Sequence, residues 1–170
     1  PEVSHTCPTQ TGSNLTKRKT MSQTLTSLFV QLVFSTKNRE RLITPEVEPD
    51  LFAYMGGILK NHQSRLLDAG GTDDHVHLLV SQSKNIALAS LLKEVKGDSS
   101  SWIKSQGRQY RNFHWQDGYG AFSFAYRDLS ALKQYVSSQK EHHRKWTFKN
   151  ELIYMLEESG LEYDERYLWD

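Results

Sequence analysis

A chain of 170 residues, 37% hydrophobic and 24% charged, is long enough for one buried core and short for two, so one soluble domain is expected. The single cysteine, Cys7, excludes a disulfide framework or a cysteine metal site. No apolar run is long enough to cross a bilayer and no signal peptide stands out, which makes the cytoplasm the expected compartment.

The net charge of +1 hides an asymmetry. Residues 21–150 sum to +5 and residues 151–170 to −6. A basic body with an acidic tail suits an anionic ligand held away from that tail, although an ordinary solvated surface has the same balance.

Residues 1–20 are polar, rich in Thr and Ser, and without apolar periodicity; they read as a disordered leader, or as sequence ahead of a natural start at Met21. The first strand is expected over Leu25–Ser35, a run of apolar residues interrupted by Gln31. Lys37, Arg39 and Arg41 follow at its end, where cations are well placed for phosphate oxygens or for a solvated loop. Thr44-Pro45-Glu46 resembles a helix start with Thr44 as N-cap and Pro45 in the first turn, and an apolar period continues to about His62. A second strand over Arg65–Ala69 turns at Gly70-Gly71 into Asp73–Ser81 as a hairpin.

That third strand carries His75-Val76-His77. Alternate strand residues share a face, so both imidazoles point the same way and can converge on one metal ion. Alone, the pattern also fits the polar face of an amphipathic strand, because two histidines do not fill a coordination sphere.

A helix over Ile86–Ser105 has Leu88, Leu91, Leu92, Val95, Trp102 and Ile103 on its core face, while Lys93, Lys96 and Lys104 project elsewhere. Arg108 and Arg111 bracket Tyr110, with Phe113-His114-Trp115 beyond. Cations among aromatics suit a single-stranded nucleic acid, but core packing explains each aromatic equally well. A fourth strand is expected over Ala121–Tyr126, then a helix over Asp128–Lys145. On that helix Tyr135 and Gln139 are spaced i, i+4 and stack on one side, so the Gln139 amide oxygen is a candidate third ligand beside the Tyr135 hydroxyl.

Together these blocks resemble the HUH single-tyrosine transposases of small bacterial insertion sequences, the IS200-like and REP-associated group. The resemblance rests on the order of Phe34–Arg39, Gly71–Val80, Leu92–Ser100, Trp115–Ser123 and Tyr163–Trp169 around the His75-Val76-His77 and Tyr135-x3-Gln139 motifs. One departure is Gln31, where many relatives carry a histidine that we take to be non-catalytic.

The resemblance implies an α+β fold over residues 21–170. It has a ferredoxin-like antiparallel sheet with helices on one face and the histidines on a central strand. It also implies cleavage and rejoining of single-stranded DNA near subterminal hairpins through a 5′-phosphotyrosine on Tyr135. His75, His77 and Gln139 would hold Mg2+ or Mn2+. Lys37, Arg39, Lys93, Lys96, Arg108 and Arg111 are the candidate DNA contacts. A homodimer is implied, with Tyr135 acting in its own or its partner's site. The alternatives are a domesticated module that binds hairpin DNA or RNA without cutting, and a replication- or relaxase-type HUH nuclease. No role for His142 or His143 follows from the family pattern.

Overall fold

The computed structural model describes residues 24–168; the leader expected over residues 1–20 lies outside them. Four strands form one antiparallel sheet: β1 (Phe29–Ser35), β2 (Arg65–Gly71), β3 (His75–Ser81) and β4 (Gly120–Phe124). Their order across the sheet is β2-β3-β1-β4. With α1 (Glu48–Asn61) between β1 and β2 and α2 (Leu88–Ser105) between β3 and β4, the chain runs β-α-β-β-α-β, the ferredoxin-like arrangement.

The pleat sorts the sheet into two faces. Val30, Leu32 and Phe34 of β1 join Val76, Leu78 and Val80 of β3 on the first face. α1 and α2 close over it with Leu51, Met55, Leu59, Leu91, Val95 and Ile103. Truncating one such fully buried leucine to alanine costs about 2–5 kcal/mol. Tyr110, Phe113 and Trp115 belong to this core, at 5%, 0% and 6% exposure. The packing reading of those aromatics therefore prevails over base stacking.

The second face carries Val33, His75, His77 and Phe122. It meets a layer that the expectation of helices on one face did not include: α3 (Leu129–Ser137), α4 (Gln139–His142) and α5 (Phe148–Glu158). A last short helix, α6, spans Glu165–Leu168. Val33, Phe122, Phe148 and Leu156 form the smaller core there.

Two local expectations are corrected. α1 starts at Glu48 rather than behind Thr44; Pro49 occupies its first turn, and the Thr44 hydroxyl bonds instead with the Tyr110 hydroxyl at 3.0 Å. The single helix expected over Asp128–Lys145 is interrupted at Ser138, whose ψ of 11° ends α3 before α4 begins.

Candidate active site

β3 is paired on both sides, by β2 and β1, so its backbone is a fixed platform. His75 and His77 lie on it at 1% and 0% exposure, their ring centroids 5.3 Å apart. Gly70 stands opposite His77 in the register, on the same face. A Cβ at Gly70 would lie 1.9 Å from the carbonyl oxygen of Val136. Only glycine lets α3 descend this close, and that descent brings Tyr135, next to Val136, within 6.1 Å of the His77 ring, centroid to centroid.

Each histidine has a partner behind it. The His75 Nδ1–H donates to Asp74 Oδ1 at 2.7 Å, which leaves Nε2 with its lone pair facing the site. Asp74 is itself held by the Thr72 hydroxyl at 2.9 Å and by Arg39 Nη2 at 2.6 Å. Arg39 reaches it from a left-handed backbone, φ 57°, directly after Asn38 at φ 54°. That conformation suits asparagine and costs a long side chain on the order of 1 kcal/mol. The pairing of its guanidinium, which also lies 4.8 Å over the Phe148 ring, offsets this cost.

Behind His77 stands Gln31, 1% exposed, with its amide nitrogen 2.9 Å from Nδ1. In this orientation the amide donates and His77 carries its proton on Nε2. Rotated by half a turn, the amide oxygen would accept from Nδ1–H and free Nε2 as a ligand. Gln31 therefore sets the tautomer of His77, although the sequence reading gave it no part in the chemistry.

The focus of the site is a residue that the sequence reading left in the acidic tail. Glu151, on α5, is 1% exposed. Its Oε1 accepts a hydrogen bond from the Tyr135 hydroxyl and another from Gln139 Nε2 at 3.1 Å. Its Oε2 lies 3.0 Å from His143 Nε2 and 3.4 Å from His77 Nε2. His143 Nε2 in turn sits 2.9 Å from His75 Nε2. A signal for Glu151 exists in the sequence: Thr147 caps a helix whose apolar stripe is Phe148, Leu152, Met155 and Leu156, and Glu151 is a carboxylate inside that stripe.

The electrostatics follow from burial and this wiring. Burial, together with the nearby imidazoles, pulls His75 down to about 4 despite its bond to Asp74, so it is neutral at pH 7. Burial likewise lowers His77 against the pull of Glu151. Burial would raise Glu151, but the His143 and His77 imidazoles beside it outweigh burial and hold the carboxyl well below the usual range. Burial and then the Glu151 charge push the Tyr135 phenol far above its ordinary value, so it stays protonated.

One ligand atom from each of His75, His77, His143 and Glu151 lies within 4.8 Å of the others. His77 Nε2, Gln139 Oε1 and Glu151 Oε2 are buried without a hydrogen-bond partner. Such atoms are expensive to leave unsatisfied, and a divalent cation would satisfy them. The donor set of imidazoles and oxygens fits one.

The candidate DNA contacts divide. Lys93 is exposed on α2, Arg108 and Arg111 are exposed on the turn after it, and Lys37 is half-buried at the end of β1. Lys96 is committed elsewhere: its ammonium donates to the carbonyls of Gln116, Asp117 (2.9 Å) and Gly118 (3.0 Å) and covers the Phe34 ring. Arg39 is spent largely on Asp74. Arg39 and Asp74 belong to a cleft of about 430 Å3 that reaches His75 and His143, where Arg41, Arg144 and Lys145 add cations; Arg41 pairs with Asp73 at 3.6 Å and Arg144 with Glu141 at 2.8 Å, both pairs largely exposed.

Paired histidines on a central strand of an antiparallel sheet, faced by a helix-borne tyrosine from the same chain, define the class of HUH-type tyrosine transposases. A profile of the family described as "Transposase IS200 like" matches residues 24–139, and the chain belongs to that family.

Two solved structures share the fold. A candidate transposase of Deinococcus radiodurans R1 is 20% identical with a TM-score of 0.55, over 69% of this chain and 95% of that one. A REP-associated tyrosine transposase bound to a REP hairpin is 12% identical with a TM-score of 0.54, over 75% of this chain and 76% of that one. No curated protein matches. No helix among the described residues is long and apolar enough to cross a membrane.

Proposed function

We propose that this transposase cleaves and rejoins single-stranded DNA next to a hairpin, with Tyr135 as nucleophile and a 5′-phosphotyrosine as intermediate. The observation that carries the reading is the convergence of the Tyr135 hydroxyl, the Gln139 amide and three imidazoles on the Glu151 carboxylate. The binding of a REP hairpin by the structural neighbour supports a hairpin as the recognition element.

His75, His77 and an oxygen from Gln139 or Glu151 would hold Mg2+ or Mn2+. Such a cation supplies Lewis acidity at the scissile phosphate and charge to offset the departing oxygen. The chain's own residues do the rest. Asp74 and Gln31 orient the two imidazoles, and Gly70 sets the height of the tyrosine helix. Tyr135 Oη forms the bond to phosphorus as the bond to the 3′-oxygen breaks, leaving a 3′-hydroxyl and a 5′-phosphate on tyrosine. The phenolic proton leaves toward Glu151, its hydrogen-bond acceptor at rest, and the departing 3′-oxygen takes up a proton from water. Rejoining reverses the exchange and needs no nucleotide cofactor, because the phosphotyrosine is itself a phosphodiester. The 6.1 Å between the Tyr135 and His77 ring centroids within one chain supports a reaction in cis.

The test is incubation with labelled single strands from the flanking DNA plus Mn2+. A covalent protein–DNA species that is absent in Tyr135→Phe supports the reading. An adduct that survives in Tyr135→Phe moves the nucleophile to another residue and overturns it.

A further inference from the structure

Two cavities flank the buried cluster, and they differ in chemistry. One is the cleft at His75 and His143, lined by Arg39, Arg41, Arg144 and Lys145 with Asp73 and Asp74. On the opposite side, between α3 and α5, a cavity of about 870 Å3 has Tyr135, Glu151 and His142 in its wall. Phe122, Leu132, Trp146, Tyr154 and Met155 give it apolar and aromatic surface, beside the polar Gln31, Ser123 and Ser159. Among the described residues lining it there is no lysine or arginine. Its charged groups are the carboxylates of Glu151 and Glu158, which repel phosphate and accept from N–H donors.

Trp146 stands at the rim of both cavities. Its ring is 41% exposed and meets that of Tyr154, 50% exposed, edge to face at 5.6 Å. Large aromatic surfaces left in water beside a nucleophile require a reason, because such rings are usually turned inward. A nucleotide divides as the two cavities do, into an anionic phosphate and a flat, uncharged ring bearing N–H donors. Bases stack on aromatic side chains whatever their sequence.

From this division we propose that the cavity between α3 and α5 receives an unpaired nucleobase adjoining the phosphate that Tyr135 attacks. The base stacks on Trp146 and Tyr154, and the backbone runs over the His142–Thr147 segment into the cleft of Arg39, Arg41, Arg144 and Lys145. The inference rests on the strand-cleavage reading, since the nucleophile in the cavity wall is what ties the occupant to the scissile strand.

The experiment is run on Tyr135→Phe, where no cleavage occurs, so binding is read independently of chemistry. The probe is an oligothymidine single strand of about twelve nucleotides with one iodouracil placed at successive positions. Photo-crosslinks located by mass spectrometry are expected on Trp146 or Tyr154. Trp146→Ala/Tyr154→Ala should weaken binding of the unmodified strand roughly tenfold per lost stack. Trp146→Phe/Tyr154→Phe, which keeps a ring at both places, should retain most of the affinity.

Crosslinks confined to α1, α2 or the turn at residues 108–111 overturn the proposal. So does an alanine double variant that binds as tightly as its parent, or a parent that does not bind the strand. Sedimentation showing a dimer that the alanine variant dissociates would place a second copy of the chain in the cavity, and also overturns it. Crosslinks at Trp146 in a protein whose natural Tyr135 never forms an adduct would uphold the base site and sink the cleavage reading instead.

Discussion

The hydroxyl of Tyr135 on α3 donates to the carboxylate of Glu151 on α5, so the candidate nucleophile is tied to a buried anion. A negative charge beside a phenol disfavours the phenolate, which is part of why Tyr135 sits above its ordinary range. Glu151→Gln should therefore lower the Tyr135 titration, though not to that of a free tyrosine, because burial remains. Ultraviolet difference titration of Glu151→Gln against Glu151→Gln/Tyr135→Phe isolates that phenol. An unchanged or higher titration would mean that burial alone sets it.

His75 supplies a pH dependence. Its folded value of about 4 lies below the roughly 6.5 of an unfolded histidine. The unfolded chain therefore takes up a proton that the folded chain refuses as pH falls through this window. Stability is full above about pH 6.5 and declines toward pH 4, by roughly 3 kcal/mol from this group. In chelator-treated protein, thermal melts across this range should fall, and His75→Asn should flatten the slope. A melt that rises on acidification would contradict the neutral, buried state of His75.

Gln31 should matter for metal binding without touching the metal. Gln31→Leu keeps the volume and removes the group that sets the His77 tautomer. Loss of such an outer partner weakens metal affinity about 10–100-fold. Calorimetric titration with Mn2+ reads the effect directly, and affinity equal to that of the parent protein would reduce Gln31 to a packing residue.

Gly70→Ala tests the height of the tyrosine helix. The added methyl meets the Val136 carbonyl, so α3 must lift or the sheet must bend. A cost of roughly 2–3 kcal/mol corresponds to a melting temperature lowered by roughly 4–12 °C. Adduct formation should fall further than the lost stability explains, because Tyr135 moves with the helix. A Gly70→Ala protein with full activity would show that the approach is not needed.

Lys96 and Lys93 should separate. Lys93→Ala is expected to weaken single-strand binding and to reduce the slope of log affinity against log salt by about one, as losing one phosphate contact does. Lys96→Ala should instead lower the melting temperature, because three carbonyls of the turn at residues 116–118 lose their donor. Equal salt slopes for Lys93→Ala and the parent would remove Lys93 from the phosphate contacts.

The strands and the first two helices were legible because their signals are local. Alternation placed His75 and His77 on one face, and apolar periods marked the helices over residues 48–61 and 88–105. What was not legible depends on tertiary contact. Tyr135 and Gln139 do share a partner, but through a chain that breaks at Ser138 between them and through Glu151, which counted only as tail charge. Lys96 looked like any exposed lysine until the turn that it ties was seen beside it. The roles of His143 and Gln31 arise from side chains crossing between elements, and no spacing along one strand or helix encodes those meetings.

His75 and His143 are 68 residues apart in the chain, and their contact has a consequence for how the protein is made. During synthesis, the segments that form the β-α-β-β-α-β unit emerge before the α5 segment that brings Glu151. Until that segment arrives, a nascent chain folded to that point presents two imidazoles on a sheet face that α3 covers only in part, open to stray metal ions and to other chains. Competence for cutting would thus be the last property acquired, and ribosomes stalled before the α5 segment would carry a core without a working blade.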